Sequence, residues 1–344
     1  MRNNETKTAV KITPFLFIIP FFILCEIIIL AVHFNLVFPG STAANWPYSG
    51  QWPAGDILFT GDTFGVIDLY GCERFGSLSR RAAVLKKFPD YLYLDFGNIT
   101  AERQRVNKAA FPLLLEGLQY MGLKVLNFTK QDFIDLSEID CQAHGIHLVS
   151  ANLVIHAPET QRKLVSLYQL LPFRLKNKTQ SQVITVGITG ISNNERKLHR
   201  GIAVYTVGEI KQSLKKIKND LNKADLKILL FNDTYFKLEK LLADPGIRFD
   251  LVISRSTLPD QVNTMIRINN TAVVFADEYG RSLGHVRAVK KKDGFTFEYN
   301  AYNLGIGIPE DKQIKEITKG IIKRMQNRTG LETKSKPAEN KNEE

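Results

Sequence analysis

The chain has 344 residues, 44% of them hydrophobic and 24% charged, a composition that supports a folded core and excludes disorder except at the ends. Its formal charge of +11 is spread over lysines on amphipathic stretches such as EIKQSLKKIKNDLNK, and no stretch interleaves basic with aromatic residues. A nucleic-acid partner is therefore not expected, and weak attraction to anionic lipid is the charge effect that remains.

Residues 1–11 carry Arg2, Lys7 and Lys11, and residues 12–38 form an apolar run broken by a single acid, Glu26. A cleaved signal peptide has an apolar region of only about 7 to 15 residues, whereas this run continues past Glu26. The expectation is an uncleaved signal-anchor helix, long enough to cross a bilayer. Its amino end would be cytoplasmic and the bulk of the chain extracytoplasmic, periplasmic or at the cell surface. Glu26 reads as a residue tolerated near a helix interface, and Cys25, preceded by the bulky Leu24, as a buried apolar cysteine. Cys72 and Cys141 make an even count in an oxidising setting, and their spacing leaves a disulfide open.

Residues 39–55, rich in Pro, Gly and small side chains, read as a linker. From residue 56 strands and helices alternate. DILFTGD, YLYLDFGN, KVLNF, HLVSANL, VITVGITG, LKILLFND and FDLVISR read as strands, while LSRRAAVLKKF, AERQRVNKAAFPLLLEGLQYMG and the stretches 208–223 and 235–243 read as helices. This is the rhythm of an α/β domain with a mostly buried sheet. TAVVFA, GHVRAVKKK and FTFEYNAY look like an antiparallel meander, and EDKQIKEITKGIIKRMQ is a last helix. One domain over 56–328 and a disordered charged tail over 329–344 complete the expected organisation.

In sheets of this kind ligands bind beyond the carboxyl ends of the strands. The residues to read there are Asp62, Asn98, Lys130 with Gln131 and Asp132, Asn232, and Arg255 with Ser256. Their order and surroundings resemble the metallophosphoesterase domain of the 5'-nucleotidase family, within the calcineurin-like phosphoesterases. ILFTGDTFG is similar to that family's strand ending in T-N-D-x-H-G, FGSLSRRAAVLKK to its G-G-L-A-R-R-A helix start, and YLYLDFGN to its D-x-G-D strand. VLNFTKQDF stands where G-N-H-E-F-D is expected, FDLVISRSTL where D-L-I-I-G-G-H-S-H is, and VVFADEYGRSLGHV where I-V-Q-A-G-x-Y-G-x-x-L-G is.

The resemblance implies a calcineurin-like sandwich of two mixed sheets flanked by helices, and a pair of divalent metals clamping a phosphate. It also implies that most of the ligands are replaced. Asp62 keeps the first carboxylate, but Phe64 stands at the histidine two residues on and Asn98 at the bridging aspartate. Lys130 and Gln131 replace an asparagine and a histidine, Asn232 a histidine, and Ser256 and Leu258 the final histidine pair. None of the six histidines, His33, His144, His147, His156, His199 and His285, lies at a strand end that would repair the site. No metal cofactor is expected. Lys130 and Arg255 are the cations expected to neutralise Asp62, either by sealing the site or by forming a metal-free anion pocket.

The leading expectation is thus a membrane-anchored, catalytically degenerate protein with a binding or regulatory role, its partner an anionic small ligand or an envelope protein. One alternative is a working phosphoesterase with Mn, Zn or Mg at a reduced site of Asp62, Asn98, Asp132 and Asn232. Another is a structural partner of an envelope membrane complex.

Overall fold

Short apolar runs with no strict polar alternation, such as LKILLFN and LVISR, suit strands covered on both faces. The computed structural model places them so. It describes residues 55–68, 76–100, 111–129, 132, 145–156, 165–176, 181–193, 204–207, 209–256 and 262–333, all within the unit spanning residues 51–344. The expected anchor over 12–38, most of the linker, Cys72, Cys141, Lys130, Gln131 and Leu258 lie outside these residues. No helix among the described residues is long and apolar enough to cross a membrane.

Two six-stranded mixed sheets carry the fold. In the first, β1 (Asp56–Thr60), β2 (Leu92–Asp95), β3 (Leu123–Asn127) and β4 (His147–Val149) run parallel. On the other side of β1, the long strands β13 (Ser282–Lys291) and β14 (Gly294–Asn303) form an antiparallel hairpin, with β13 antiparallel to β1. The second sheet has a parallel centre of β7 (Ser181–Ser192), β9 (Leu226–Asn232), β10 (Leu251–Arg255) and β12 (Thr271–Ala276). Its antiparallel edges are β6 (Tyr168–Lys176) and β11 (Met265–Ile268). A separate pair joins β5 (Leu153–His156) to β8 (Val204–Val207).

Helices cover the outer faces. Helix α1 (Leu78–Leu85), α2 (Phe111–Tyr120) and α5 (Lys312–Thr333) bury Leu85, Leu114, Leu118, Ile314 and Ile321 against Leu58 and Tyr93 of the first sheet. Helix α3 (Ile210–Leu221) and α4 (Tyr235–Leu242) bury Leu214, Ile217, Leu238 and Leu241 against Leu229 and Val252 of the second. Each side chain removed from water in this way contributes about 1.5–3 kcal/mol. The sheets are tied together by the buried Asn127 of β3, whose Nδ2 donates to Phe96 O just past β2 and to Ile191 O in the second sheet, both at 2.9 Å. Gly190 makes room for it, because a Cβ there would meet Asn127 Oδ1 at 2.0 Å.

The two mixed sheets flanked by helices expected from the sequence are found, with local differences. TAVVFA does not join the expected meander. It pairs parallel with β10 in the second sheet, because its wholly buried pattern suits an inner strand, not a half-exposed hairpin. YQLLPFRLK, which has a proline at its centre, is nevertheless the strand β6. Pro172 is tolerated because β6 is an edge strand, paired on one side only. HLVSANL divides into β4 and the start of β5. The last helix continues to Thr333, past the boundary expected at 328; the one glycine in that stretch, Gly330, costs a helix only about 1 kcal/mol.

Candidate functional site

The parallel strands β1, β2, β9 and β10 end on the same side, and the turns beyond them meet. Two of these turns extend the pairing of β1 with β2. Asp62 N donates to Gly97 O (2.8 Å), Phe64 N to Asn98 O (2.8 Å) and Gly65 N to Ile99 O (3.0 Å). Tyr279 N reaches over from the turn before β13 to Asp62 O at 2.8 Å. The cost is borne by the backbone. Asp62 (φ 47°), Phe64 (φ 48°), Asn98 (φ 58°) and Tyr279 (φ 59°) all sit in the left-handed region, each about 1–3 kcal/mol above an ordinary conformation. Such strain persists only where surrounding contacts fix it, and four cases around one carboxylate mark this as the structured end of the molecule.

Asp62 is fully buried. Its Oδ1 accepts from Asn98 Nδ2 at 2.6 Å and from Asn232 Nδ2 at 3.3 Å. Its Oδ2 accepts no hydrogen bond and instead faces Arg255 Nε at 3.2 Å. Arg255 also approaches Glu278 Oε1 at 3.5 Å, and its side chain is 27% exposed. Burial pushes the Asp62 carboxyl up to about 6, with Arg255 and the two amides pulling against it and Glu278 adding to the rise. Near neutral pH the group is mostly ionised, held by one guanidinium and two amide donors.

Asn98 is the hinge of this cluster. Besides binding Asp62 it donates to Asn232 Oδ1 at 3.3 Å, and its Oδ1 stands 2.7 Å from Thr129 Oγ1, whose single proton it shares with Asp132. Asp132 faces the loops and not the cleft. Its Oδ2 accepts from Asn98 N (2.9 Å), Thr129 N (3.2 Å) and Thr129 Oγ1 (2.7 Å), and its Oδ1 from Thr100 N (3.2 Å). A carboxylate so used fastens the turn that carries Asn98 and offers little to a ligand. Burial raises its pKa against those bonds.

Beneath the turns lies a second buried network. Arg81 of α1, 1% exposed, donates from Nη1 to Tyr93 OH at 3.3 Å. Tyr93 OH and Thr60 Oγ1 are 2.8 Å apart, and Thr60 donates to Asp95 Oδ2 at 2.7 Å. Because the threonine proton is committed to Asp95, the phenol must donate to the threonine. An unbroken chain of donors therefore links cation to carboxylate. Asp95 Oδ1 then accepts from Gly97 N at 2.8 Å, which shapes the turn presenting Asn98. Burial pushes Asp95 up to about 7, opposed by its hydrogen bonds and by Arg81.

The structure thus gathers Asp62, Asn98, Asn232 and Arg255 into one contact set and places the half-exposed Phe64 at its mouth, its ring 5.5 Å from that of Tyr279. Ser256 is nearby in sequence and buried, with its N–H donating to Ala276 O at 3.2 Å. Asp132 is in the same region but turned away, and Lys130 and Gln131 are outside the described residues. Sequence reasoning missed Thr129, Glu278, Arg81, Tyr93 and Thr60. Asp95, an acid within an apolar strand, reads from the sequence as a residue that orients a loop, and its Oδ1 holds Gly97 N. His285 lies at the other end of β1, its Nε2 2.8 Å from Asp56 Oδ1. Among the described residues no three His, Cys, Asp or Glu side chains gather as a metal-binding group.

Neither a family profile nor a curated protein matches the sequence. Solved structures do match. A 5'-nucleotidase precursor from Thermus thermophilus superposes with a TM-score of 0.63 at 17% identity, covering 79% of this chain and 59% of its own. A sulfate thiohydrolase from the same organism gives 0.62 at 14% identity, covering 82% and 62%. A calcineurin-like phosphoesterase from Bacillus subtilis gives 0.59 at 15%, covering 80% and 98%. The fold is that of the calcineurin-like phosphoesterases. The chain spans less than two thirds of the first two proteins and nearly the whole of the third. At these identities the calcineurin-like fold is what is shared.

Proposed function

We propose that this chain is a divergent 5'-nucleotidase-like member of the calcineurin-like phosphoesterases whose cleft binds and does not hydrolyse, in a protein anchored to a membrane by residues 12–38 with its domain extracytoplasmic. The observation that carries the reading is the Arg255 guanidinium 3.2 Å from Asp62 Oδ2, with Asp62 Oδ1 taken by two amides. A pair of dications needs a bridging carboxylate and several imidazole or carboxylate donors. Here the central donor is the neutral Asn98, and a cation already occupies the approach to Asp62. The described donors do not fit a dinuclear metal centre, so no hydrolytic step is derived through one. Arg255, partly exposed, is the group an anionic small molecule would meet; an envelope protein is the other partner class the reading admits.

One feature favours a second reading. Asp62 Oδ2 is buried and accepts no hydrogen bond, the state of a carboxylate ligand to a single metal before loading, with Asn98 and Asn232 beside it. Purified full-length chain, its metal content measured and its turnover of a generic phosphate monoester assayed with added manganese or zinc, separates the two. Substoichiometric metal and no turnover above that of an Asp62→Ala variant is the expected result. Stoichiometric metal with turnover abolished by Asp62→Ala would overturn the binding reading.

A further inference from the structure

The end of the domain opposite the cleft carries a different feature. Strand β13 pairs with β1 as far as Asp56↔Arg287 and then runs on from Ala288 to Lys291, paired with β14. At ~3.3 Å per residue this is about 13 Å of two-stranded ribbon beyond the first residue of β1. Ala288 N donates to Gly55 O, and among the described residues no further strand flanks the ribbon. Its turn reads Lys290-Lys291-Lys292-Asp293-Gly294-Phe295, with Lys291, Lys292 and Asp293 exposed and Phe295 half-buried. Lys290 is engaged, 3.7 Å from Asp225 Oδ1. Arg287 faces Asp56 at 3.1 Å and sits across from Glu298. The free charges at the tip are therefore two lysines against one aspartate, beside the Phe295 ring, which stacks on Phe297 at 6.4 Å. The chain also enters β1 from this end, at Gly55 and Asp56.

We propose that the β13–β14 tip docks on the surface of an anionic phospholipid bilayer, with Lys291 and Lys292 on the headgroups and Phe295 at the interface. Adjacent lysines next to an aromatic ring form the combination that an anionic interface favours, charge for the headgroups and a ring for the acyl boundary. An exposed turn suits a planar array of charges better than a single small ion. The proposal concerns a face remote from Asp62 and stands or falls separately from the reading of the cleft.

Amide hydrogen exchange of the full-length chain, mixed with phosphatidylcholine vesicles with and without phosphatidylglycerol, tests it. The readout is local to the hairpin, so insertion of any other segment into both vesicle types leaves it unaffected. Amides of residues 289–297 are expected to exchange several-fold more slowly only with phosphatidylglycerol present, and the slowing to fade at high salt. In K291A/K292A, which leaves the Lys290 ion pair in place, the docking equilibrium constant should fall about 25-fold, at about fivefold per lysine. K291R/K292R should keep the protection. Equal exchange in the two vesicle types, or protection that survives K291A/K292A, would overturn the proposal. So would protection by a single-stranded oligonucleotide without protection by anionic vesicles, which would assign the tip to nucleic acid.

Discussion

At the scale of single residues, the chemistry turns on how one buried carboxylate is compensated. Arg255, with Lys130, was legible as a candidate because the family resemblance sets both cations at strand ends near Asp62; that Asn98 and Asn232 would share the other oxygen was not, because it depends on the left-handed turn at Asn98. Asp62 binds its proton more tightly in the folded chain, at about 6, than in the unfolded one. Its contribution to stability is therefore greatest at low pH and is lost as pH rises through about 6. Removing Arg255 raises the folded value further and carries that loss to higher pH. Arg255→Ala should cost about 2–4 kcal/mol at pH 8 and visibly less at pH 5, checked by thermal melts at the two values; an equal loss at both would show that Arg255 does not compensate Asp62. A second substitution probes the retained geometry. Asn98→Asp sets a carboxylate against Asp62 at the present 2.6 Å contact, and like charges that close cannot both ionise. The variant should melt lower than wild type in metal-free buffer and recover when manganese is added, while wild type does not respond. A variant indifferent to manganese would mean that the turns no longer present a cation-binding geometry.

At the scale of elements, the strand–turn units explain what could be read in advance. LKILLFN and LVISR were legible as strands because burial on both faces leaves no polar positions to confuse the pattern. β6 was hidden by Pro172 and β11 by its brevity, and both are edges, where the rules for inner strands relax. The buried chain from Arg81 to Asp95 was illegible because its members come from α1, β1 and β2 and share no local spacing. It nonetheless sets the turn after β2, since Asp95 anchors Gly97 N. Thr60→Val keeps the shape of the side chain but leaves Asp95 Oδ2 and Tyr93 OH without their shared partner. A loss of about 1–3 kcal/mol is expected in chemical denaturation, together with faster amide exchange at Gly97 and Asn98. Unchanged exchange there would separate the network from the turn.

At the scale of the whole molecule, two sheets held together by Asn127 put strained turns at one end and a basic ribbon at the other. The α/β alternation followed from the βαβ rhythm and the two-sheet sandwich from the resemblance to the calcineurin-like phosphoesterases, while the assignment of TAVVFA to the second sheet depended on long-range pairing that local pattern does not encode. The Arg255–Asp62 contact has a further consequence for how the protein lives with its surroundings. An enzyme that borrows its central charge from bound ions inherits the fluctuations of their supply, and loses shape as well as activity when they are withdrawn. Here the charge is covalently part of the chain. Dialysis against a chelator should leave the melting temperature and the exchange of the Asp62 and Asn98 turns unchanged, and a drop in either would reveal an ion the architecture still depends on. With that outcome the protein would keep one conformation wherever divalent ions are scarce or contested.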